Sequence, residues 1–421
     1  MSDAEASRTF DDWCEFFRQT DRSAILCRHG TFFKDVQMLL KDRGVAVLEF
    51  DEDESDLAGI AGLMSGARAP AGAFALTFNF YPPLAPLTDS LGIPYAAWVI
   101  DCTLNVFVHD PRFSRPNVCL FVFDERDIDR YARANFSRVF LMPQSSNVER
   151  MKPLDLTEQE RRECGAGVSF VGDALVTECN EYLNRFLPEA TRRIAADPDP
   201  VARRVFRITR MACEETLDWF DENPFALIDD IARRLREKES DYRTRLAQLG
   251  VADFDHLAIL VAKESARRQR HRFIGSLSDI GVDVWGGPDW EPVMSGRNRY
   301  RGRAEHMTVL PRIYNGSKIN LNITRPYSDR GLPMRVFDVM ACGGFLLSNH
   351  PHSLRKWFRP GKDVETYDSL TELREKIRYY LDHEHDRRDI AENGLRAVRA
   401  SHTHAHRLNF IFSKLFPETR I

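Results

Sequence analysis

From Ser23 onward, the first third of the chain alternates short apolar runs with longer amphipathic runs. The short runs are apolar at nearly every position, which is typical of strands buried on both faces of a sheet. The longer runs space apolar residues three or four positions apart, as amphipathic helices do. This alternation predicts a parallel sheet covered by helices. The predicted strands are AILCRHG, VAVLEFD, AFALTFNF, IPYAAWVID, NVCLFVFD and RVFLMPQ.

A second α/β pattern follows a polar, charged and non-periodic segment at residues 147–166. It begins with VSFVGD, is interrupted by a helical insertion at about residues 178–265, and resumes at RHRFIGSLSDIG, VDVWGG and KINLNIT. We therefore predict an α/β protein with two Rossmann-like domains, at residues 1–150 and 151–405, the second with the insertion. The amphipathic segment at residues 406–421 is predicted to be a C-terminal helix that returns to the first domain.

Ligands on parallel sheets bind beyond the carboxyl ends of the strands. In the first domain this rule selects the loops His29-Gly30, Asn79-Phe80, Asp101-Cys102-Thr103 and Gln144-Ser145-Ser146. His29 and Gly30 form a tight strand-to-helix turn, where glycine lets the backbone approach a phosphate or an acceptor group. A single glycine is also common in turns that bind nothing.

The most informative stretch for function is residues 331–349. Gly331-Leu332-Pro333 is predicted to open a helix, which Gly343-Gly344 ends before a buried strand. Backbone N–H groups near Leu332, Pro333 and Met334 can bind a phosphate, and Arg335 adds a cation. Asp338 is placed to accept hydrogen bonds from a ribose. The alternative is an ordinary helix start with surface ion pairs.

Polar residues also follow the strand just upstream, KINLNIT. Lys318, Asn320, Asn322 and Thr324 share one face, because side chains alternate along a strand. A polar face on a buried strand needs partners, and a nucleotide donor would supply them. Arg325 is the preferred phosphate ligand, since a guanidinium grips oxygens in pairs. The alternative is an edge strand whose polar side faces water.

Several of these runs carry a family resemblance. SKINLNIT, GLPMRVFDVMACGGFLLSN, KIRYYLDH, IAENG and SHTHAHRL resemble the C-terminal domain of the CgeB-like (spore maturation protein B-like) glycosyltransferases, and LGIPYAAWVID and GVSFVGD resemble two of their other strands. The resemblance covers most of the chain outside residues 178–265. It implies a GT-B fold, with an acceptor-side first domain and a nucleotide-sugar-binding second domain facing a cleft.

One position departs from the pattern of many retaining GT-B enzymes, which place two Glu residues eight positions apart around this helix. Here Asp338 occupies the second position and Arg330 the first, with Asp329 one residue away. The stereochemistry of transfer is therefore not inherited from the resemblance.

Each of the other candidate site residues also has a structural interpretation. Asp101 ends a strand and is a candidate catalytic base or orienting group, or else a turn cap; His109 follows in a loop as a second catalytic candidate or a solvated side chain. Trp285 and Gly286 are candidates for contact with the nucleotide base, or else form a turn with a core Trp.

His402, His404 and His406 are spaced so that they spread around a helix, so we predict no metal site.

Composition narrows the classes of function. The chain has 421 residues, 43% hydrophobic and 29% charged, and a net charge of −4, which argues against a nucleic-acid partner. Its eight cysteines form no C-x-x-C pair, as expected of a reduced, cytoplasmic protein. We expect no signal peptide and no transmembrane segment, since no apolar run approaches the ~20 residues of a membrane span.

These observations predict a glycosyltransferase. It would use a nucleotide-diphosphate sugar as donor substrate, with no cofactor and no metal, and a protein or a glycan as acceptor. Two alternatives remain: a non-catalytic GT-B scaffold whose insertion binds a partner, and another nucleotide-sugar enzyme such as an epimerase.

Overall fold

The fold is taken from a computed structural model of the chain. It describes residues 9–28, 30–51, 73–101, 110–177, 180–237, 254–328, 330–349 and 351–417. His29, Cys102, Thr103, His109 and Asp329, which the sequence analysis singled out, lie outside these residues.

The first part of the chain alternates strands and helices, as its apolar pattern predicts. In chain order the elements are α1 (Phe10–Gln19), β1 (Ser23–Cys27), α2 (Gly30–Lys41), β2 (Ala46–Phe50), β3 (Phe74–Phe78), α3 (Leu84–Ser90), β4 (Tyr95–Trp98), β5 (Val118–Val122), α4 (Glu125–Arg133) and β6 (Val139–Leu141).

The second part begins with a helix and a strand and then becomes helical. Its elements are α5 (Glu158–Cys164), β7 (Val168–Val171), α6 (Leu187–Ala196), α7 (Pro200–Glu222), α8 (Ile228–Glu237), α9 (Phe254–Gly275), β8 (Asp283–Trp285), β9 (Arg299–Tyr300), α10 (Val309–Gly316), β10 (Ile319–Asn322), α11 (Met334–Ala341), β11 (Leu346–Asn349), α12 (Pro351–Arg355), β12 (Glu365–Tyr367), α13 (Leu370–Asp382), α14 (Glu384–Ser401) and α15 (His404–Leu415).

Within the described residues, the strands form two six-stranded sheets in which every pair is parallel. One has the order β2-β1-β3-β4-β5-β6 and the other β12-β11-β10-β7-β8-β9. The predicted fold class is confirmed in its two parallel-sheet α/β parts, and helices α6 to α9 lie between β7 and β8 as the predicted insertion.

The chain divides into two compact units. Unit 1 consists of Met1–Pro153, Arg330–Cys342 and Leu395–Ile421, and unit 2 of Leu154–Asp329 and Gly343–Gly394. Helix α11 therefore groups with the first sheet, although its sequence lies between two strands of the second. The domain bounds at residues 150 and 405 stay a prediction.

The core of unit 1 follows the alternation of side chains along its strands. One face of the sheet packs against α1, α2 and α15, and the other against α3 and α4. Phe412 of α15 is fully buried, with its ring centroid 4.8 Å from that of Phe17 and 5.2 Å from that of Phe74. The last helix is thus part of the core of unit 1.

Unit 2 has its own core around its central strands. Phe170, Leu321 and Leu347 line the sheet, and Phe273 of α9 and Ile377 of α13 cover it. None of the helices in the described part of the chain combines the length and apolar composition that crossing a bilayer requires.

Candidate functional site

The sheet of unit 2 changes direction at one place. The chain adds β8 and β9 on one side of β7, and then returns to add β10, β11 and β12 on the other side. In an open parallel sheet, such a reversal leaves a crevice at the carboxyl ends of the two central strands, which here are β7 and β10. Arg325 lies three residues after the end of β10, so it stands at this edge.

The segment that leads to Arg325 is held by residues of the neighbouring strand β11. Asn322 donates from Nδ2 to Ser348 Oγ at 2.8 Å and to Thr324 Oγ1 at 2.9 Å. The Thr324 backbone N–H donates to Asn349 Oδ1 at 2.6 Å, and Asn349 Nδ2 donates back to the Thr324 carbonyl at 3.1 Å. This support gives the chain a defined path just before Arg325.

The polar face of β10 is therefore explained inside the protein. Strand β10 lies between β11 and β7, so the alternative of an edge strand with a wet side is wrong. Asn322 and Thr324 are buried, and Asn320 accepts from Ser169 Oγ at 2.9 Å. Only Lys318 of this face is exposed, because it precedes the strand. Contact of Lys318, Asn322 and Thr324 with a donor stays a prediction.

Arg325 itself is half-buried, and its guanidinium carbon is 5.8 Å from the centroid of the Tyr327 ring. A guanidinium over an aromatic face is partly ordered before it binds an anion. Tyr367 Oη, from β12, donates to the Asn322 carbonyl at 3.0 Å, which further stabilises the carboxyl end of β10.

The carboxyl ends of β7 and β8 meet through a glycine. A Cβ on Gly286 would lie 2.3 Å from the Gly172 carbonyl oxygen and 2.8 Å from the Trp290 ring, so no side chain fits there. Trp290 Nε1 donates to the same carbonyl at 2.7 Å. Trp285 is buried, with the Arg301 guanidinium 5.4 Å from its ring centroid. These contacts explain Gly286 and Trp285 by packing, and their contact with a base stays a prediction.

Helix α11 begins with Pro333 as its N-cap residue, which supplies no side-chain cap. Its leading segment packs closely within unit 1: a Cβ on Gly331 would lie 2.6 Å from the Phe123 ring, and the Arg330 backbone N–H donates to the buried Asp124 carboxylate. Leu332 is buried, whereas Pro333, Met334 and Arg335 are half-buried. The predicted anion contact at this helix start stays a prediction.

Asp338 lies in a buried polar network of unit 1. Its side chain is 3% exposed, and Oδ1 accepts from Ser146 Oγ at 2.6 Å. Burial raises the pKa of Asp338 to about 7, against the opposing effects of the Ser146 hydrogen bond and of Arg150. The sequence placed this carboxylate on a ribose, which stays a prediction; the structure adds an internal partner that the sequence did not suggest.

The same network includes a second buried carboxylate. Arg150 donates to Asp35 twice, from Nε at 3.1 Å and from Nη2 at 2.6 Å. His404 Nε2 is 3.8 Å from Asp35 Oδ2, and His404 Nδ1 is 2.9 Å from Ser145 Oγ. Burial lowers the pKa of His404 to about 4, so its ring is neutral at neutral pH.

Ser145, His404 and Asp35 together have the residue types of a hydrolytic triad. All three are buried, and Ser145 is fully enclosed. A nucleophile must reach its substrate, so this arrangement serves the structure of unit 1 and not acyl transfer. The predicted ligand loop at Ser145-Ser146 is likewise internal.

The three histidines near the C-terminus bind three different partners. His402 Nδ1 is 2.7 Å from Arg407 Nη2, and His406 Nδ1 is 2.7 Å from Thr403 Oγ1. His404 Nδ1 contacts Ser145 Oγ, so the three rings contact different groups. Among the residues that the structure describes, no group of three His, Cys, Asp or Glu side chains is arranged to hold a metal.

Asp101 follows β4 and its carboxylate is exposed. Asn79 holds this turn: its Nδ2 donates to Asp101 Oδ2 at 2.8 Å, and its Oδ1 accepts from the N–H groups of Ile100 and Asp101. Asn79 adopts a left-handed backbone, with φ of 69°. Gly30, at the start of α2, has φ of 45° and open space where a Cβ would be. Both positions lie at the carboxyl edge of the first sheet.

Sequence reasoning missed the supporting residues Asp35, Arg150 and Asn349. Asn349 is the last residue of β11, so the rule that ligands bind beyond the carboxyl ends of strands would have selected it. Asp35 and Arg150 are 115 positions apart, so no local sequence pattern indicates that they pair.

The comparisons with known proteins agree with this site in one respect. Residues 267–413 match the model of a family described as "Glycosyl transferase-like", a segment that contains Arg325, α11 and Asp338. No curated protein matches the chain in sequence.

Several solved structures align with this chain over most of its length. Alr3699/HepE from Anabaena, in complex with UDP and glucose, is 9% identical over 97% of this chain and 95% of that chain, with a TM-score of 0.48. A glycosyltransferase from Rickettsia africae is 10% identical over 96% and 93%, with a TM-score of 0.45. A sucrose-phosphate synthase from Thermosynechococcus elongatus is 12% identical over 94% and 100%, with a TM-score of 0.46.

Proposed function

We propose that this protein is a GT-B glycosyltransferase, of the CgeB-like branch, that moves a hexosyl group from a nucleotide-diphosphate sugar to an acceptor hydroxyl. The observation that carries the proposal is the match of residues 267–413 to the glycosyl transferase-like family model. The polar carboxyl edge of unit 2 supports it, because a reversal of strand order with an arginine beside it suits an anionic nucleotide.

In the proposed reaction, the acceptor oxygen bonds to the anomeric carbon as the bond from that carbon to the diphosphate breaks. Negative charge then grows on the leaving diphosphate, and preorganised cations and N–H donors stabilise it. Arg325 is the proposed cation of unit 2. Asp101, whose carboxylate Asn79 orients, is the proposed group that takes the acceptor proton.

The substitution Arg325→Ala tests this assignment. We expect donor turnover to fall by about 100-fold, since the lost contact strengthens as the diphosphate leaves. Release of nucleoside diphosphate from UDP-, GDP-, ADP- and dTDP-sugars measures it. Arg378→Ala is the matched control, because Arg378 pairs with Asp279 on the exposed surface of unit 2. Equal activity in the two variants would contradict the role of Arg325.

The proposed reaction needs no metal ion, because arginine and backbone N–H groups carry the phosphate charge. We expect excess EDTA to leave turnover of the preferred sugar nucleotide unchanged. A loss of turnover that Mg²⁺ or Mn²⁺ restores would show that the diphosphate is held through a metal.

A non-catalytic scaffold remains the second candidate, since Arg330 stands where many retaining enzymes have an acidic residue. It predicts nucleotide binding without donor turnover, and a partner bound through the helices at residues 178–265. An epimerase is distinguished by its product, a changed sugar still attached to the nucleotide.

We propose that the acceptor of the transferase is a protein or a glycan and that the protein is located in the cytoplasm.

A further inference from the structure

We propose that Ser146 is a positioning residue for sugar transfer: its buried hydroxyl sets the orientation of α11, and with it the direction of the residues at the helix start. This inference rests on the proposed function, because α11 carries the predicted donor contacts Pro333, Met334 and Arg335. Ser146, α11 and the groups that hold Ser146 all belong to unit 1.

The first step is the geometry of α11. Asp338 follows Met334 by four residues and Arg335 by three, so the three side chains share one side of the helix. The hydrogen bond from Ser146 Oγ to Asp338 Oδ1, at 2.6 Å, therefore fixes the rotation of this side of the helix. A short bond to a carboxylate is stronger than a neutral one, and here it lies out of water.

The second step is that Ser146 cannot follow the helix if the helix turns. Its backbone N–H donates to the His402 carbonyl at 3.1 Å, and its carbonyl accepts from the His404 N–H at 3.1 Å. These two bonds form a parallel bridge to Thr403, at the start of α15. Since α15 is packed in the core of unit 1, Ser146 is a fixed point for α11.

The third step concerns charge. Arg150 pairs with Asp35 of α2 in a two-pronged ion pair, and His404 is neutral, so neither is a dedicated counter-ion of Asp338. Arg150 and Arg335 favour its ionised form and Asp35 opposes it. The Ser146 hydroxyl is therefore the main hydrogen-bonding partner that keeps this carboxylate usable as an anion near neutral pH.

Ser145 provides a matched comparison. It is the neighbouring residue, it is equally buried, and its hydroxyl pairs with His404 Nδ1 instead of α11. Ser145→Ala and Ser146→Ala each remove one buried hydroxyl from the same segment. A purely structural role predicts similar effects on stability and activity, whereas positioning of α11 predicts a difference between them.

The experiment compares both variants with the parent chain, using UDP-, GDP-, ADP- and dTDP-sugars as donors. For Ser146→Ala we expect kcat/KM for the preferred donor to fall by about 10- to 100-fold. Its pH profile, recorded across about pH 6 to 9, should shift to higher pH, because loss of the hydroxyl disfavours the ionised carboxylate. Ser145→Ala should leave the profile in place.

Ser146→Cys gives a test that does not depend on the smaller variant folding. It fills the same space with a weak S–H donor, so we expect a shift in the same direction. Thermal unfolding of each variant reports its stability separately. If Ser146→Ala or Ser146→Cys behaves like Ser145→Ala in both rate and pH profile while the parent transfers sugar, the positioning role is overturned and the proposed function stands. If the parent neither binds nor cleaves any donor, both fall.

Discussion

Asp338 shows most directly how surroundings change the chemistry of a residue. On the sequence it is a carboxylate one turn into a helix, and in the structure it is enclosed with Ser146, Arg150 and Asp35. Burial disfavours its charge, and the raised pKa follows from that cost. A residue that is predicted to bind a ribose thus also takes part in the internal structure of unit 1.

This raised pKa predicts a pH-dependent stability for Asp338→Asn. The folded state holds the Asp338 proton more tightly than the unfolded chain, from the ordinary value of 3.8 up to about 7. Its contribution to stability is therefore lost as pH rises through this range. The variant has no titrating carboxyl at this position, so its free energy of unfolding does not carry this pH dependence. Relative to that of the parent, it should rise by up to about 4 kcal/mol between pH 3.8 and about pH 7. Denaturant unfolding at several pH values measures this, and parallel curves would contradict it.

At the scale of elements, the apolar pattern predicted the strands well. The run KINLNIT contains β10, GFLLSN contains β11, and the two glycines at residues 343 and 344 separate α11 from β11. The meaning of the polar face of β10 was not predictable, because it depends on Ser348 and Asn349 of the next strand. A single strand does not reveal whether its polar groups face water, a ligand or another strand.

The C-terminal helix offers a prediction at this scale. Phe412 of α15 is fully buried among the aromatic rings of unit 1, so Phe412→Ala should destabilise the protein by about 3–5 kcal/mol. Met38 of α2 is 53% exposed, and Met38→Ala should change stability by less than about 0.5 kcal/mol. Chemical denaturation compares them. Equal, small effects would show that α15 contributes little to the core.

At the scale of the whole molecule, the two sheets differ in strand order although both are parallel. The first reverses beside β1 and the second beside β7, and each reversal marks a carboxyl edge where a ligand can lie. The local pattern predicts strands but not their order, because order depends on which side of the sheet each connection takes. The association of α11 with the first sheet is a second feature of this kind.

By itself, the sequence determined the two α/β parts, the helical insertion within the second part and the residues of the carboxyl edges, because periodicity and turn residues are local properties. Only the tertiary structure decided which polar groups meet. Ser146 and Asp338 are 192 positions apart, and no local pattern relates them. Their pairing arises from the packing of α11 and α15 within unit 1, and burial then gives the pair its strength.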